Sequence, residues 1–206
     1  MFVQTIQGHL AGDAGELKEC LDRWRHELGP AAEGWLGSTA GVTEDGTFIC
    51  LARFESPEAA RRNSDRPEQH QWWMETSKLF GGEVRFQDCT ETELIMGGGS
   101  DDAGFVQVIQ GRIRDLPGLR SYLAGMDETT MREFRPDMIG TVLAVADGGA
   151  FTEAAYFTSE AEAREGERKE VPPEMRDEMQ KMMDFYEGEW TYLDLREPWL
   201  YSPGTT

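Results

Sequence analysis

The first apolar run, Phe2-Val3-Gln4-Thr5-Ile6-Gln7-Gly8, predicts a β-strand from its β-branched and aromatic residues. Gly12-Asp13 breaks it. Leu17, Cys20, Leu21, Trp24 and Leu28 then recur at helical spacing, which predicts a helix from about Ala14 to Leu28, stopped by Gly29-Pro30. Strands are expected from about Trp35 to Thr43 and from Thr47 to Phe54. The Asp45-Gly46 pair between them marks a hairpin. Ser56 caps a short helix that Pro57 opens. Asn63-Ser64-Asp65-Arg66-Pro67 interrupts it. Asp65 and Glu68 then offer a capping box to a second helix, about Pro67 to Phe80. Gly81-Gly82 ends that helix, and Glu83 to Asp88 reads as a fourth strand. The order is βαββαβ.

The pattern then starts again. Phe105-Val106-Gln107-Val108-Ile109-Gln110-Gly111 differs from the first strand at one position, and the offset is 103 residues. At the same offset Trp35-Leu36-Gly37 matches Met138-Ile139-Gly140, Asp45-Gly46 matches Gly148-Gly149, and Phe54-Glu55-Ser56 matches Phe157-Thr158-Ser159. After the last helix the match slips to Gly82–Phe86 against Gly188–Tyr192, so the second copy carries a small insertion there. Met96-Gly97-Gly98-Gly99-Ser100-Asp101-Asp102 reads as a flexible connection. The expected organisation is repeat 1 at 1–95, a Gly/Asp linker at 96–103, repeat 2 at 104–197 and a tail at 198–206. The fold class is α+β. Each βαββαβ repeat is ferredoxin-like, with helices on one face of an antiparallel sheet. The bare faces need cover, so the two sheets are expected to pack face to face as an intramolecular barrel.

Composition adds exclusions. The 206 residues are 39% hydrophobic, enough for a packed core, and the formal net charge is −19. Nucleic acids and anionic membranes require basic patches, so neither is an expected partner. Cys20, Cys50 and Cys89 are too far apart for a zinc-type cluster, and they suit a reducing compartment. Met1-Phe2-Val3-Gln4 lacks the basic start of a signal peptide, and no run is as long as a membrane span. A cytoplasmic location is expected.

Candidate chemistry is sparse. His70 is three residues from Trp73, so the two share a helix face, and an imidazole there could act as acid, base or ligand. His26 sits among charged residues. Trp72, Leu79 and Phe80 recur as Met175, Met182 and Met183, the mark of a core stripe. Trp73 is replaced by Arg176 and is the better ligand candidate. Gln4 and Gln107 are duplicated inside apolar strands, where their amides need partners or ligand. Arg53 and Tyr156 align with each other. Glu153 replaces Cys50 and is costly to bury unpaired. Asp88 and Asp194 are duplicated at what read as the ends of the fourth strands. The glycine-rich stretches match no phosphate-binding pattern, and no metal or catalytic-elbow motif is present.

The repeat order, the module length and the aromatic-rich second helix after Ser56-Pro57-Glu58 resemble the dimeric α+β barrel superfamily, most closely its antibiotic biosynthesis monooxygenase-like group. Two modules are fused here, as a monomeric pseudo-dimer or a homodimer of such chains. The resemblance implies a cofactor-independent monooxygenase that acts on an aromatic or polyketide-like small molecule. His70 would be the base and Arg53 the electrostatic stabiliser. Trp73, Gln4, Gln107, Glu153 and Tyr156 would contact substrate. Haem-degrading relatives carry an Asn on the first strand where this chain has Gln4, a departure that speaks against haem. A non-catalytic small-molecule binding or stress-associated barrel fits equally well. An interaction scaffold using Trp199 and Tyr201 of the tail is a third reading.

Overall fold

The computed structural model describes residues 1–204. The first set of elements is β1 (Phe2–His9), α1 (Ala14–Arg23), β2 (Trp35–Val42), β3 (Thr47–Phe54), α2 (Pro57–Ser64), α3 (Pro67–Thr76) and β4 (Arg85–Ile95). The second set is β5 (Phe105–Ile113), α4 (Leu116–Ala124), α5 (Glu128–Phe134), β6 (Met138–Ala146), β7 (Ala150–Phe157), α6 (Glu160–Glu167), α7 (Pro173–Met183) and β8 (Tyr186–Leu195). A short strand, β9 (Trp199–Tyr201), follows. The chain forms two compact units. Unit 1 is Met1–Thr92 together with the chain end from Glu197, and unit 2 is Glu93–Arg196. Both are mixed α+β with the ferredoxin-like order.

In unit 1 the antiparallel strand order is β4-β1-β3-β2-β9. Side chains alternate across a strand. Phe2, Phe48, Cys50 and Phe54 therefore share one face with Leu17 of α1 and Ala59 and Ala60 of α2. Leu17 is wholly buried, and enclosing such a side chain stabilises the unit by about 1.5–3 kcal/mol. The local signals are physical. Asp13 caps α1 by accepting from the Glu16 N–H at 3.2 Å, and Ser56 caps α2 by accepting from that of Ala59 at 3.2 Å. The hairpin turns at Gly46, whose φ of +84° suits glycine.

Three local expectations change. The first helix loosens into a π-helical turn at Trp24–Leu28 ahead of Gly29-Pro30. Asp65 and Glu68 form no capping box. Pro67 takes the first helical position of α3, so Arg66 is its N-cap and Asp65 ends α2. Asp88 does not end its strand, because β4 runs on to Ile95. The tail docks on its own unit, where β9 pairs with β2 through Ser38–Tyr201, Thr39–Leu200 and Ala40–Trp199. Gly37 admits it: φ there is +128°, and a Cβ would stand 2.6 Å from the Tyr201 carbonyl oxygen.

Unit 2 has the strand order β8-β5-β7-β6. Its cap repeats that of unit 1, with Ser159 accepting from the Glu162 N–H. Leu119, Leu143, Val145 and Phe151 form its core with Ile109, Tyr186 and Trp190. The glycine-rich segment is pinned at its start. The Met96 N–H donates to Glu128 at 2.9 Å, and its carbonyl accepts from Arg132 at 2.9 Å.

Candidate functional site

Unit 1 encloses a cavity of about 320 Å³ between its sheet and its helices. The floor is strand residues: Gln4 and Ile6, Ser38 and Ala40, Cys50 and Ala52, with Phe54. The roof is Leu21 and Trp24 from the first helix and Asn63, Gln69, His70, Trp72 and Trp73 from α2 and α3. Trp35, Phe86 and Tyr201 complete the walls. The small side chains in the floor, Ala40, Cys50 and Ala52, leave the space that the indoles frame.

The indoles are held by their N–H groups and by one another. Trp24 donates to Gln69 at 2.5 Å, Trp35 to Ser38 at 3.0 Å and Trp72 to the Cys20 carbonyl at 3.0 Å. Trp24 meets Trp35 edge-on at 5.0 Å, and Trp73 meets Phe86 edge-on at 5.0 Å. Such contacts add to area burial and fix ring orientation. Trp72, expected as core, joins Trp73 in the cavity wall while packing against Trp24 at 6.3 Å.

Asn63 is 7% exposed and lies against the cavity. Its Oδ1 accepts from Arg66 Nη1 at 3.0 Å, and the same nitrogen donates to the Leu28 carbonyl at 3.1 Å. A guanidinium only donates, so this contact assigns the amide orientation and turns Nδ2 away from Arg66, free to donate to a ligand. His70 is exposed at the mouth, near Ser64 and the 48% exposed Phe86. Deeper in, burial pushes the Cys50 thiol up to about 12, against a small opposing pull from Arg53. Burial raises Tyr201 as well, helped by its bond to Asp22. Both groups are neutral near pH 7.

Of the residues singled out in the sequence, Gln4, His70 and Trp73 come together here. Arg53 does not. It alternates with Ala52 and Phe54, so it leaves the opposite sheet face, where its guanidinium lies over Gly37. Gln107, Glu153 and Tyr156 belong to unit 2 and do not line the cavity. Tyr156 is 1% exposed. Gln4 donates to Asp88 at 2.8 Å, and Gln107 repeats this with Asp194 at 3.0 Å. The duplicated glutamines and aspartates are therefore partners across paired strands. In unit 2 Arg164 closes the group by binding the second Asp194 oxygen. Sequence reasoning missed Asn63, hidden in what read as a helix breaker, and named Tyr201 only as a docking residue of the tail.

In unit 2 different side chains stand at the equivalent positions. Leu143 stands for Ala40 and Glu153 for Cys50, paired across β6 and β7 as their counterparts are across β2 and β3. Gly166 stands for Asn63, and Arg135 lies against it, bound to Asp137 at 2.7 Å. Burial raises Glu153, against an opposing pull from the Thr141 hydroxyl.

The fold is shared, over nearly the whole chain, with solved structures whose names liken them to monooxygenases or an anthrone oxidase. A "putative monooxygenase" from Lactobacillus acidophilus is 12% identical, with a TM-score of 0.69 over 97% of this chain and 98% of that one. A "putative monooxygenase" from Fusobacterium nucleatum is 10% identical, with a TM-score of 0.73 over 100% and 95%. An anthrone oxidase-like protein is 11% identical, with a TM-score of 0.65 over 99% and 94%. At these identities the likeness is one of fold. No protein-family model and no curated protein matches the sequence. Among the described residues no helix is long and apolar enough to cross a membrane.

Proposed function

We propose that unit 1 is the active site of a monooxygenase that oxidises a flat aromatic small molecule with molecular oxygen, the substrate itself supplying the electrons. One observation carries the reading: a cavity framed by four tryptophans is lined by the oriented amide of Asn63 and, at its mouth, by the imidazole of His70. The fold shared with an anthrone oxidase-like protein supports it. An anthrone has an acidic CH₂ opposite a ring carbonyl. His70 takes one proton from that carbon, and the charge moves to the carbonyl oxygen, where Asn63 Nδ2 donates to it. The enolate gives its electrons to oxygen, and a hydroperoxide forms at the same carbon. Loss of water leaves a second carbonyl, so one oxygen atom enters the product and the other leaves as water. Apolar walls exclude solvent from the carbanion.

The test is oxygen uptake with dithranol (1,8-dihydroxyanthrone), corrected for protein-free oxidation. One oxygen consumed per anthraquinone formed is expected, with Asn63→Ala lowering kcat about a hundredfold as for other oxyanion donors. Uptake no faster than the protein-free rate across several anthrones sinks the proposal.

A second reading is binding without turnover. It is favoured by the neutrality of Cys50 and Tyr201, which takes both of these lining groups out of proton transfer near pH 7. Dithranol that binds and is recovered unchanged in air would decide for it.

A further inference from the structure

Each of the five strands of unit 1 gives the cavity a side chain: Phe86 from β4, Gln4 from β1, Cys50 from β3, Ser38 from β2 and Tyr201 from β9. Neighbouring strands stand about 4.8 Å apart, so the outer strands are about 19 Å apart centre to centre, and the side chains of Phe86 and Tyr201 at the two ends shorten the space between them. A volume of about 320 Å³ drawn out over that space is a slot, suited to a flat fused-ring molecule. Its two ends differ. Phe86 is 48% exposed, whereas Tyr201 is 7% exposed.

Tyr201 is held from three sides. Its hydroxyl donates to Asp22 Oδ1 on α1 at 2.8 Å. Its backbone pairs with Ser38 and packs on Gly37. The Arg25 guanidinium lies 6.0 Å from the ring centre. A ring fixed at its tip, backbone and face cannot swing aside as a long aliphatic side chain would. In unit 2 the equivalent glycine, Gly140, is met instead by the backbone carbonyls of Ile95, Met96 and Gly98.

We propose that Tyr201 is the specificity-determining end wall of the cavity, a ring delivered by the C-terminal strand that sets how many fused rings a ligand can carry. The proposal rests on the cavity being a ligand site and not on the oxygen chemistry. Tyr201 acts here by shape, because its hydroxyl is engaged by Asp22.

The experiment measures binding of three probes, 1-naphthol, dithranol and tetracycline, with two, three and four fused rings. Quenching of the cavity tryptophans is the readout, and circular dichroism confirms folding. For the wild type, tetracycline should bind most weakly. Tyr201→Ala should raise the tetracycline-to-naphthol affinity ratio about tenfold, and Tyr201→Phe, which keeps the ring, should leave it within about twofold. If Tyr201→Ala does not fold, Tyr201→Leu should show a smaller rise of the same sign. A folded variant that changes all three affinities by one factor overturns the proposal. So does a wild type that takes tetracycline as tightly as dithranol, or one that binds none of the three. Retained binding and length selection without oxygen uptake would instead overturn the oxygenase reading alone.

Discussion

The duplicated Gln–Asp pairs allow each unit to serve as the control for the other. In unit 2 Asp194 accepts from Gln107 through one oxygen and pairs with Arg164 through the other. In unit 1 Asp88 accepts from Gln4, and Arg61, the residue equivalent to Arg164, is exposed. Replacing each aspartate by asparagine keeps an oxygen for the glutamine amide. Asp194→Asn also turns an NH₂ group towards a guanidinium, so a charge-assisted bond is lost and two donors face each other. Such a bond contributes about 1.5–3 kcal/mol when enclosed. The side chains of Arg164 and Asp194 are 29% and 31% exposed, which lowers the expected cost to about 1–2 kcal/mol. For a chain of this length that is a fall in Tm of about 2–8 °C. Asp88→Asn should lower Tm by less than about 2 °C by the same conversion. Thermal unfolding followed by circular dichroism at pH 7 measures both. Equal losses in the two variants refute the view that the unit 2 pair is structural and the unit 1 pair is not.

Two further predictions concern titration and reactivity. Burial raises Glu153, so the folded chain holds its proton to higher pH than the unfolded chain does. The stability linked to that proton is fully present below the ordinary carboxylate value and is lost as pH rises through the raised one. Glu153→Gln should therefore be more stable than wild type at pH 8, with the difference vanishing near pH 4. A Tm difference independent of pH contradicts this. Cys50 is raised from 9.0 to about 12 by burial. At pH 8 that leaves about a thousandfold less thiolate than for an ordinary cysteine, so iodoacetamide should label it that much more slowly in the folded Cys20→Ser, Cys89→Ser protein than in urea. Comparable rates in the two states would show that the thiol is not enclosed.

The fold was readable because strands and caps are local signals. Ser56-Pro57, Asp45-Gly46 and the repeated first strand each name their own structure, and the common offset ties the two copies together. The site was readable only in part. Helical spacing put His70 and Trp73 on one helix face, and both line the cavity. Arg53 was misplaced although strand alternation was available: Cys50, Ala52 and Phe54 define the helix-facing side, and Arg53 falls between them. Trp72 looked like core because its repeat partner, Met175, is apolar, yet the floor beneath it in unit 1 is made of small residues. Asn63 and Tyr201 depend on contacts between segments far apart in sequence, with Leu28 behind Arg66 and with Asp22 at the tyrosine hydroxyl. No local pattern encodes those.

The central claim is that ligand binding is confined to unit 1, whose Ala40, Cys50 and Asn63 line the cavity and are replaced in unit 2 by Leu143, Glu153 and Gly166. Isothermal titration with dithranol tests it most directly, on the wild type and on Ala52→Phe, which plugs the cavity floor. One dithranol per chain for the wild type, and none for a folded Ala52→Phe protein, is the predicted result. Two per chain, or one per chain that survives the plug, contradicts the claim.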